Sequence, residues 1–75
     1  ARDGLHFHPE TIAAAAAVAA RLLDSDPAGF TVAQFRDATG ASRKFVLPLV
    51  AELDARGITR RRDDLRIAGP RLPEL

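Results

Sequence analysis

Apolar residues recur at helical spacing in three segments of the chain and alternate with polar residues in a fourth. In the first segment, Pro9 suits the first helical position and the run from Asp24 to Pro27 should stop a helix, so we expect a helix over residues 9–23. Its buried stripe is expected to be Ile12, Ala15, Ala16, Ala19, Leu22 and Leu23. The alanine run within it favours helix and lets another helix pack closely.

The second segment begins with a helix-capping pattern. Residues 28–30 should form a loop or a single bridging strand residue before it. Thr31 and Gln34 have the spacing of a capping box, which predicts a helix over residues 32–39. Gly40 should end this helix, because glycine adopts the left-handed conformation without a steric penalty. The helix is expected to bury Val32 and Phe35.

The third segment follows one short turn later and completes a helix-turn-helix pattern. Ser42 is placed to cap a helix over residues 43–56, and Gly57 should end it. Pro48 lies inside this helix and should kink it. The apolar face is expected to consist of Phe45, Val46, Leu49, Val50 and Leu53.

Alternation of apolar and polar residues predicts a β-hairpin after the third helix. Residues 58–62 should form its first strand, Asp63 and Asp64 its turn, and residues 65–68 its second strand. The residues expected to hold the hairpin to the core are Ile58, Leu65 and Ile67. Three helices followed by a hairpin make a winged helix, a mainly α fold of the α+β class.

The chain is expected to be a single monomeric domain with its core over residues 9–68. Residues 69–75 contain two prolines and predict an extended tail. With 75 residues, of which 47% are apolar and 28% charged, the chain can form a small hydrophobic core. Because the first residue is Ala1 rather than methionine, we expect a fragment of a larger protein.

Composition excludes several classes of protein. The chain has no cysteine, so it can form neither disulfides nor a thiolate metal site. Its longest apolar stretch, residues 12–20, is much shorter than the roughly 20 residues that span a bilayer. We therefore expect no contact with membranes and a cytoplasmic location.

Positive charge is concentrated in the second half of the chain. Residues 1–40 carry three basic and five acidic side chains, a charge of −2, whereas residues 41–75 carry eight basic and five acidic side chains, a charge of +3. Such an asymmetry is typical of a surface that meets a polyanion, although local acids can also leave a basic run as an ordinary solvated face.

Two groups of basic residues are candidate contacts. Arg43 and Lys44 lie in the first turn of the third helix, where cations are unfavourable by about 0.3–1 kcal/mol each, which suggests that ligand binding requires them. In the hairpin, alternation should place Arg60 and Arg62 on one face and Arg61 on the other.

Among the remaining arginines, Arg66 should join the exposed basic face of the hairpin. We favour Arg60, Arg61 and Arg66 as contacts and leave Arg62 undecided. Arg36 is expected to pair with Asp37, Asp54 or solvent.

No residue pattern indicates catalysis, and we expect no enzyme activity, no metal and no cofactor in this chain. His6 and His8 have H-x-H spacing, but a third metal ligand is missing. Ser42 lacks placed triad partners, and no phosphate-binding loop for nucleotide hydrolysis is present.

Three motifs occur in order along the chain: F-R-D at residues 35–37, S-R-K-F-x-L-P-L at residues 42–49, and G-x-T-R-R at residues 57–61, with Glu52 and Asp54 between the last two. Over about residues 30–68 this combination resembles the C-terminal winged-helix domain of the selenocysteine-specific elongation factor SelB.

The resemblance implies a domain that binds the selenocysteine insertion hairpin (SECIS) of messenger RNA. In the full-length factor it would tether a GTPase that binds GTP and brings selenocysteyl-tRNA to the ribosome. The matching positions imply RNA contacts by Arg43, Lys44, Arg60, Arg61 and Arg66. The family has glycine in the wing turn, as in R-R-x-G-D, where this chain has Asp63.

Two other functions remain open from the residues alone: a DNA-binding winged helix and a protein-interaction winged helix. Binding to a nucleic acid should weaken steeply with added salt, whereas an apolar protein contact should not. An A-form stem hides its bases, so an RNA-binding domain should recognise backbone shape and unpaired bases. Since Phe35 and Phe45 look buried, base recognition should depend on arginines or backbone groups.

Overall fold

Residues 7–73 are described by the computed structural model and form three helices followed by a two-stranded antiparallel hairpin. The elements are α1 (Pro9–Ser25), α2 (Val32–Thr39), α3 (Arg43–Ala55), β1 (Thr59–Arg62) and β2 (Leu65–Ala68). This order confirms the predicted winged helix and its α+β class.

α1 continues two residues beyond the predicted end, because polar residues alone do not stop a helix. Asp26 leaves the helical conformation, with φ −143° and ψ 93°, while its amide still donates to the carbonyl of Leu22. Asp26 precedes Pro27, and a residue before proline is sterically disfavoured in the helical region. At the other end, Nδ1 of His8 accepts a hydrogen bond from the amide of Glu10 at 3.1 Å and caps the helix.

α2 has the predicted bounds and the predicted capping box. The amide of Gln34 donates to Oγ1 of Thr31 at 3.0 Å, and the amide of Thr31 donates to Oε1 of Gln34 at 2.8 Å. Gly40 ends the helix with φ +71°. A further contact, not foreseen from the sequence, is made by Oγ1 of Thr39, which accepts from the amide of Ala41 at 3.2 Å and orders the turn to α3.

α3 differs from expectation at its first turn. Ser42 occupies the N-cap position, but its side chain makes no capping hydrogen bond. The helix runs without a break through Pro48. Phe45, predicted to be buried, is 42% exposed, and Leu47 is 59% exposed. At 3.6 residues per turn, Phe45 lies about 90° from the centre of the buried stripe, which is already complete without it. That stripe consists of Val46, Leu49, Val50 and Leu53.

The core is centred on two stacked phenylalanines. Phe30 and Phe35 are both at most 1% exposed, and their ring centroids lie 5.7 Å apart. Phe30 also pairs with Arg66 of β2 through two backbone hydrogen bonds of 3.0 and 2.8 Å, so the predicted bridging residue adds a third, one-residue strand to the hairpin. On α1, Ala20 is buried and Leu22 only half-buried, which shifts the predicted stripe by part of a turn.

The hairpin and the residues after it pack differently from expectation. Ile58 packs against the core, but Leu65 and Ile67 are half-buried beside Gly29 instead. The predicted extended tail is wrong for residues 69–73, because the chain turns at Pro70 and Leu72 packs against the core; residues 74–75 lie outside the described part. None of the helices within residues 7–73 has the length and hydropathy of a bilayer-spanning segment.

Candidate nucleic-acid interface

The first turn of α3 presents basic side chains and uncapped amide groups together. Arg43 and Lys44 are both exposed. α1 and α2 each have a side chain that accepts from a first-turn amide, whereas Ser42 makes no such bond to α3. The amide of Phe45 donates to the carbonyl of Ser42 at 3.0 Å, so the amides of Arg43 and Lys44 are the ones that remain available to an anion, beside their two cationic side chains. The ammonium of Lys44 lies 5.6 Å from the centre of the Phe45 ring.

The hairpin register separates its basic side chains into two groups. Arg61 pairs with Arg66, Arg60 with Ile67, and Arg62 with Leu65. Because directly paired residues share a face of the sheet and neighbours along a strand alternate, Arg61 and Arg66 lie on one face, while Arg60 and Arg62 lie on the other. The predicted alternation is confirmed, and the favoured hairpin residues do not share one face.

Arg66 is held in an ion pair that joins the hairpin to α3. Its Nε donates to Oδ2 of Asp54 at 3.0 Å, and the two side chains are only 13% and 26% exposed. The other oxygen of Asp54 accepts from Oγ1 of Thr59 at 2.5 Å. One carboxylate thus bonds both strands to α3, an arrangement that we call the Asp54 clamp. The predicted RNA contact of Arg66 stays a prediction, and its guanidinium is directed towards α3.

Arg61 lies on the same face as Arg66 but is exposed. Its Nε donates to the backbone carbonyl of Asp63 at 3.1 Å, which uses one of its five N–H groups. Asp63 itself has φ +55°, the left-handed conformation that glycine adopts most easily. Aspartate tolerates this region better than most residues, so the wing turn forms without the expected glycine.

The remaining polar residues considered from the sequence are an arginine of α2 and the two histidines before α1. Nε of Arg36 lies 3.8 Å from Oδ1 of Asp37, as predicted. His8 caps α1, and His6 lies outside the described residues. Across residues 7–73, no three metal-binding side chains cluster.

The chain was compared with known protein families, and one family of winged helices matches it. Residues 21–68 match the family described as elongation factor SelB, winged helix. The chain belongs to the SelB winged-helix family. No curated protein matches it. The match extends from the C-terminal part of α1 to the end of β2 and therefore includes both α3 and the wing.

Membership of the SelB family limits what this domain does. A winged helix of this size is a non-catalytic binding module, so this domain serves a translation elongation factor for selenocysteine by binding a nucleic acid or a protein.

Sequence reasoning missed two residues at the candidate interface. Asp54 was considered only as a partner of Arg36, but it bonds both strands of the wing. Phe45 was assigned to the core, but it lies beside Lys44 at the surface. The sequence partly indicated the role of Asp54, since its helical phase places it outside the buried stripe and just before the end of α3.

Proposed function

We propose that this SelB winged helix binds the selenocysteine insertion hairpin of messenger RNA. In the full-length factor it tethers the GTPase that carries selenocysteyl-tRNA to the ribosome. The observation that carries the proposal is the exposed first turn of α3, where Arg43 and Lys44 flank uncapped amides. Cations at this position oppose the helix dipole, and a bound phosphate reverses that penalty.

The Asp54 clamp supports a binding surface that extends from α3 to the wing. Arg43 and Asp54 are eleven residues apart, about three helical turns, and so lie on the same side of α3, roughly 16 Å apart along its axis. Because Asp54 holds the face of the hairpin that bears Arg61, the wing adjoins this same side of α3. A phosphate backbone that follows α3 from its first turn meets Arg61 at the wing.

The structure suggests unequal roles for the five candidate residues. Arg43, Lys44 and Arg61 are all exposed, and we assign the phosphate contacts to them. Arg60 lies on the opposite face of the hairpin, and Arg66 is engaged by Asp54. Loss of either of these two should therefore change the salt dependence of binding less than loss of Arg61.

A titration of a fluorescent SECIS hairpin over roughly 50 to 200 mM salt tests the proposal. Removing both cations by Arg43→Ala with Lys44→Ala should make the negative slope of log affinity against log salt shallower by about 1.4 to 1.8, and Arg61→Ala by about half of that. Arg21→Ala serves as the matched control, because Arg21 is an exposed arginine on α1. It should leave the slope unchanged within error.

Three results would contradict parts of the proposal. Equal affinity for an arbitrary DNA duplex would favour the DNA-binding alternative. An unchanged slope after loss of Arg43 and Lys44 would exclude the first turn of α3 as the contact. Binding to the factor's own domains without salt dependence would favour a protein contact, for which the exposed Leu47 is the supporting observation.

A further inference from the structure

Among residues 7–73, Phe45 is the exposed aromatic side chain. The chain has no tyrosine or tryptophan and four phenylalanines. Phe30 and Phe35 form the centre of the core, and the half-buried Phe7 packs against it. The ring of Phe45 is instead 42% exposed in the first turn of α3.

A cation lies beside Phe45. The ammonium of Lys44 lies 5.6 Å from the centre of its ring. Leu47 is also exposed, but on the helical wheel it lies about 160° from Phe45, so the two do not form one apolar patch. An exposed aromatic ring beside a cation suits a partner that combines a planar surface with negative charge.

We propose that Phe45 is a stacking platform for an unpaired base of the RNA hairpin, and that Lys44 binds the phosphate next to that base. This inference rests on the proposed function. Paired bases of an A-form stem are shielded on both faces by their neighbours, whereas a loop or bulged base has a free face that can cover the exposed ring. The ammonium then moves from the ring towards the phosphate, a stronger partner.

Stacking makes a prediction that distinguishes paired from unpaired RNA. Phe45→Ala should weaken binding of a SECIS hairpin by roughly 10- to 100-fold, the usual effect of removing one stacked base contact. Binding of a fully paired RNA duplex of equal length should change by less than about 3-fold, because it offers no free base face. The salt slope should not change, since no charge is removed.

Three further variants separate stacking from simple apolar contact. Phe45→Leu keeps an apolar side chain but removes the ring and should behave like Phe45→Ala. Phe45→Trp should restore binding to within about 3-fold of the unaltered chain. Because the chain has no other tryptophan, the new indole is a unique fluorophore whose emission should change when the hairpin binds. Arg21→Ala, the exposed α1 control of the salt titration, should change affinity less than about 2-fold.

The outcomes separate this inference from the proposed function. If the unaltered chain binds no hairpin, both the proposed function and the stacking inference are wrong. If it binds and Phe45→Leu retains full affinity, or Phe45→Ala weakens hairpin and duplex equally, the stacking platform is wrong while RNA binding stands. Thermal unfolding of each variant controls for folding, and the melting temperature of Phe45→Ala should stay within roughly 8 °C of the unaltered chain, because the ring is only partly buried.

Discussion

Replacement of Asp54 by alanine tests the contact that joins the wing to α3. The substitution removes a 3.0 Å hydrogen bond from Arg66 and a 2.5 Å hydrogen bond from Thr59 in one step. It leaves the guanidinium of Arg66, which is 13% exposed, without this carboxylate. We expect a marked loss of stability, together with looser attachment of the hairpin.

The size of the effect follows from the burial of the pair. Exposed ion pairs contribute about 0–1 kcal/mol, whereas breaking a fully buried pair costs about 3–5 kcal/mol. Asp54 is 26% exposed, which places this pair between those limits, at about 2–3 kcal/mol. Asp54 also lies one residue before the end of α3, where a negative charge opposes the helix dipole, and its removal returns about 0.5 kcal/mol. The net loss should be about 2 kcal/mol, which corresponds to roughly 8–16 °C in melting temperature.

Thermal unfolding followed by far-ultraviolet circular dichroism measures this loss. The matched control is Asp37→Ala, the same substitution in an exposed pair with a separation of 3.8 Å and side chains 42% and 78% exposed. The control should change stability by less than about 0.5 kcal/mol. If Asp54→Ala melts within about 3 °C of the unaltered chain, the clamp does not stabilise the fold and the assigned role of Arg66 is wrong.

Four further substitutions test local features, three of them by the same measurement. Gly40→Ala should cost about 1 kcal/mol, because φ is +71° but no atom lies within 4 Å of the added methyl. Gly29→Ala should cost at least about 2 kcal/mol, because its φ is +132° and the methyl would lie 2.9 Å from the carbonyl oxygen of Arg66. Thr31→Ala removes one half of the capping box and should cost about 1 kcal/mol. Asp63→Asn should leave stability unchanged and, in the hairpin titration, raise affinity about 2-fold by removing a negative charge from the wing turn.

Helix boundaries were predictable where one residue determines the backbone conformation. α2 has the predicted bounds, because Thr31 and Gln34 satisfy each other's amides at its start and Gly40 takes the left-handed conformation at its end. The end of α1 was predicted two residues too early, since Asp24 and Ser25 do not forbid helix and the residue before Pro27 does. The alternation of Arg60, Arg61 and Arg62 followed from strand geometry alone.

Contacts between distant elements were not predictable in the same way. The pairing of Asp54 with Arg66 depends on the phase of α3, the length of the turn after it and the hairpin register, and an error in any one removes the contact. Phe45 lies at the edge of the apolar stripe, where burial depends on how far α1 and α2 extend over α3 rather than on local sequence. Residues of the candidate interface were therefore harder to predict from the sequence than the helices and strands.

Arg61 and Arg66 show why a count of basic residues overstates a binding surface. They pair directly across the hairpin, yet Arg66 is directed towards α3 and Arg61 towards solvent. A two-stranded hairpin is marginally stable alone, so here one arginine stabilises the wing and the other remains exposed. If only Arg43, Lys44 and Arg61 contact phosphates, the salt slope of the unaltered chain should lie near −2 to −3, since each contact contributes roughly −0.7 to −0.9. A slope of about −4 or steeper would mean that Arg60, Arg62 or Arg66 also binds the backbone.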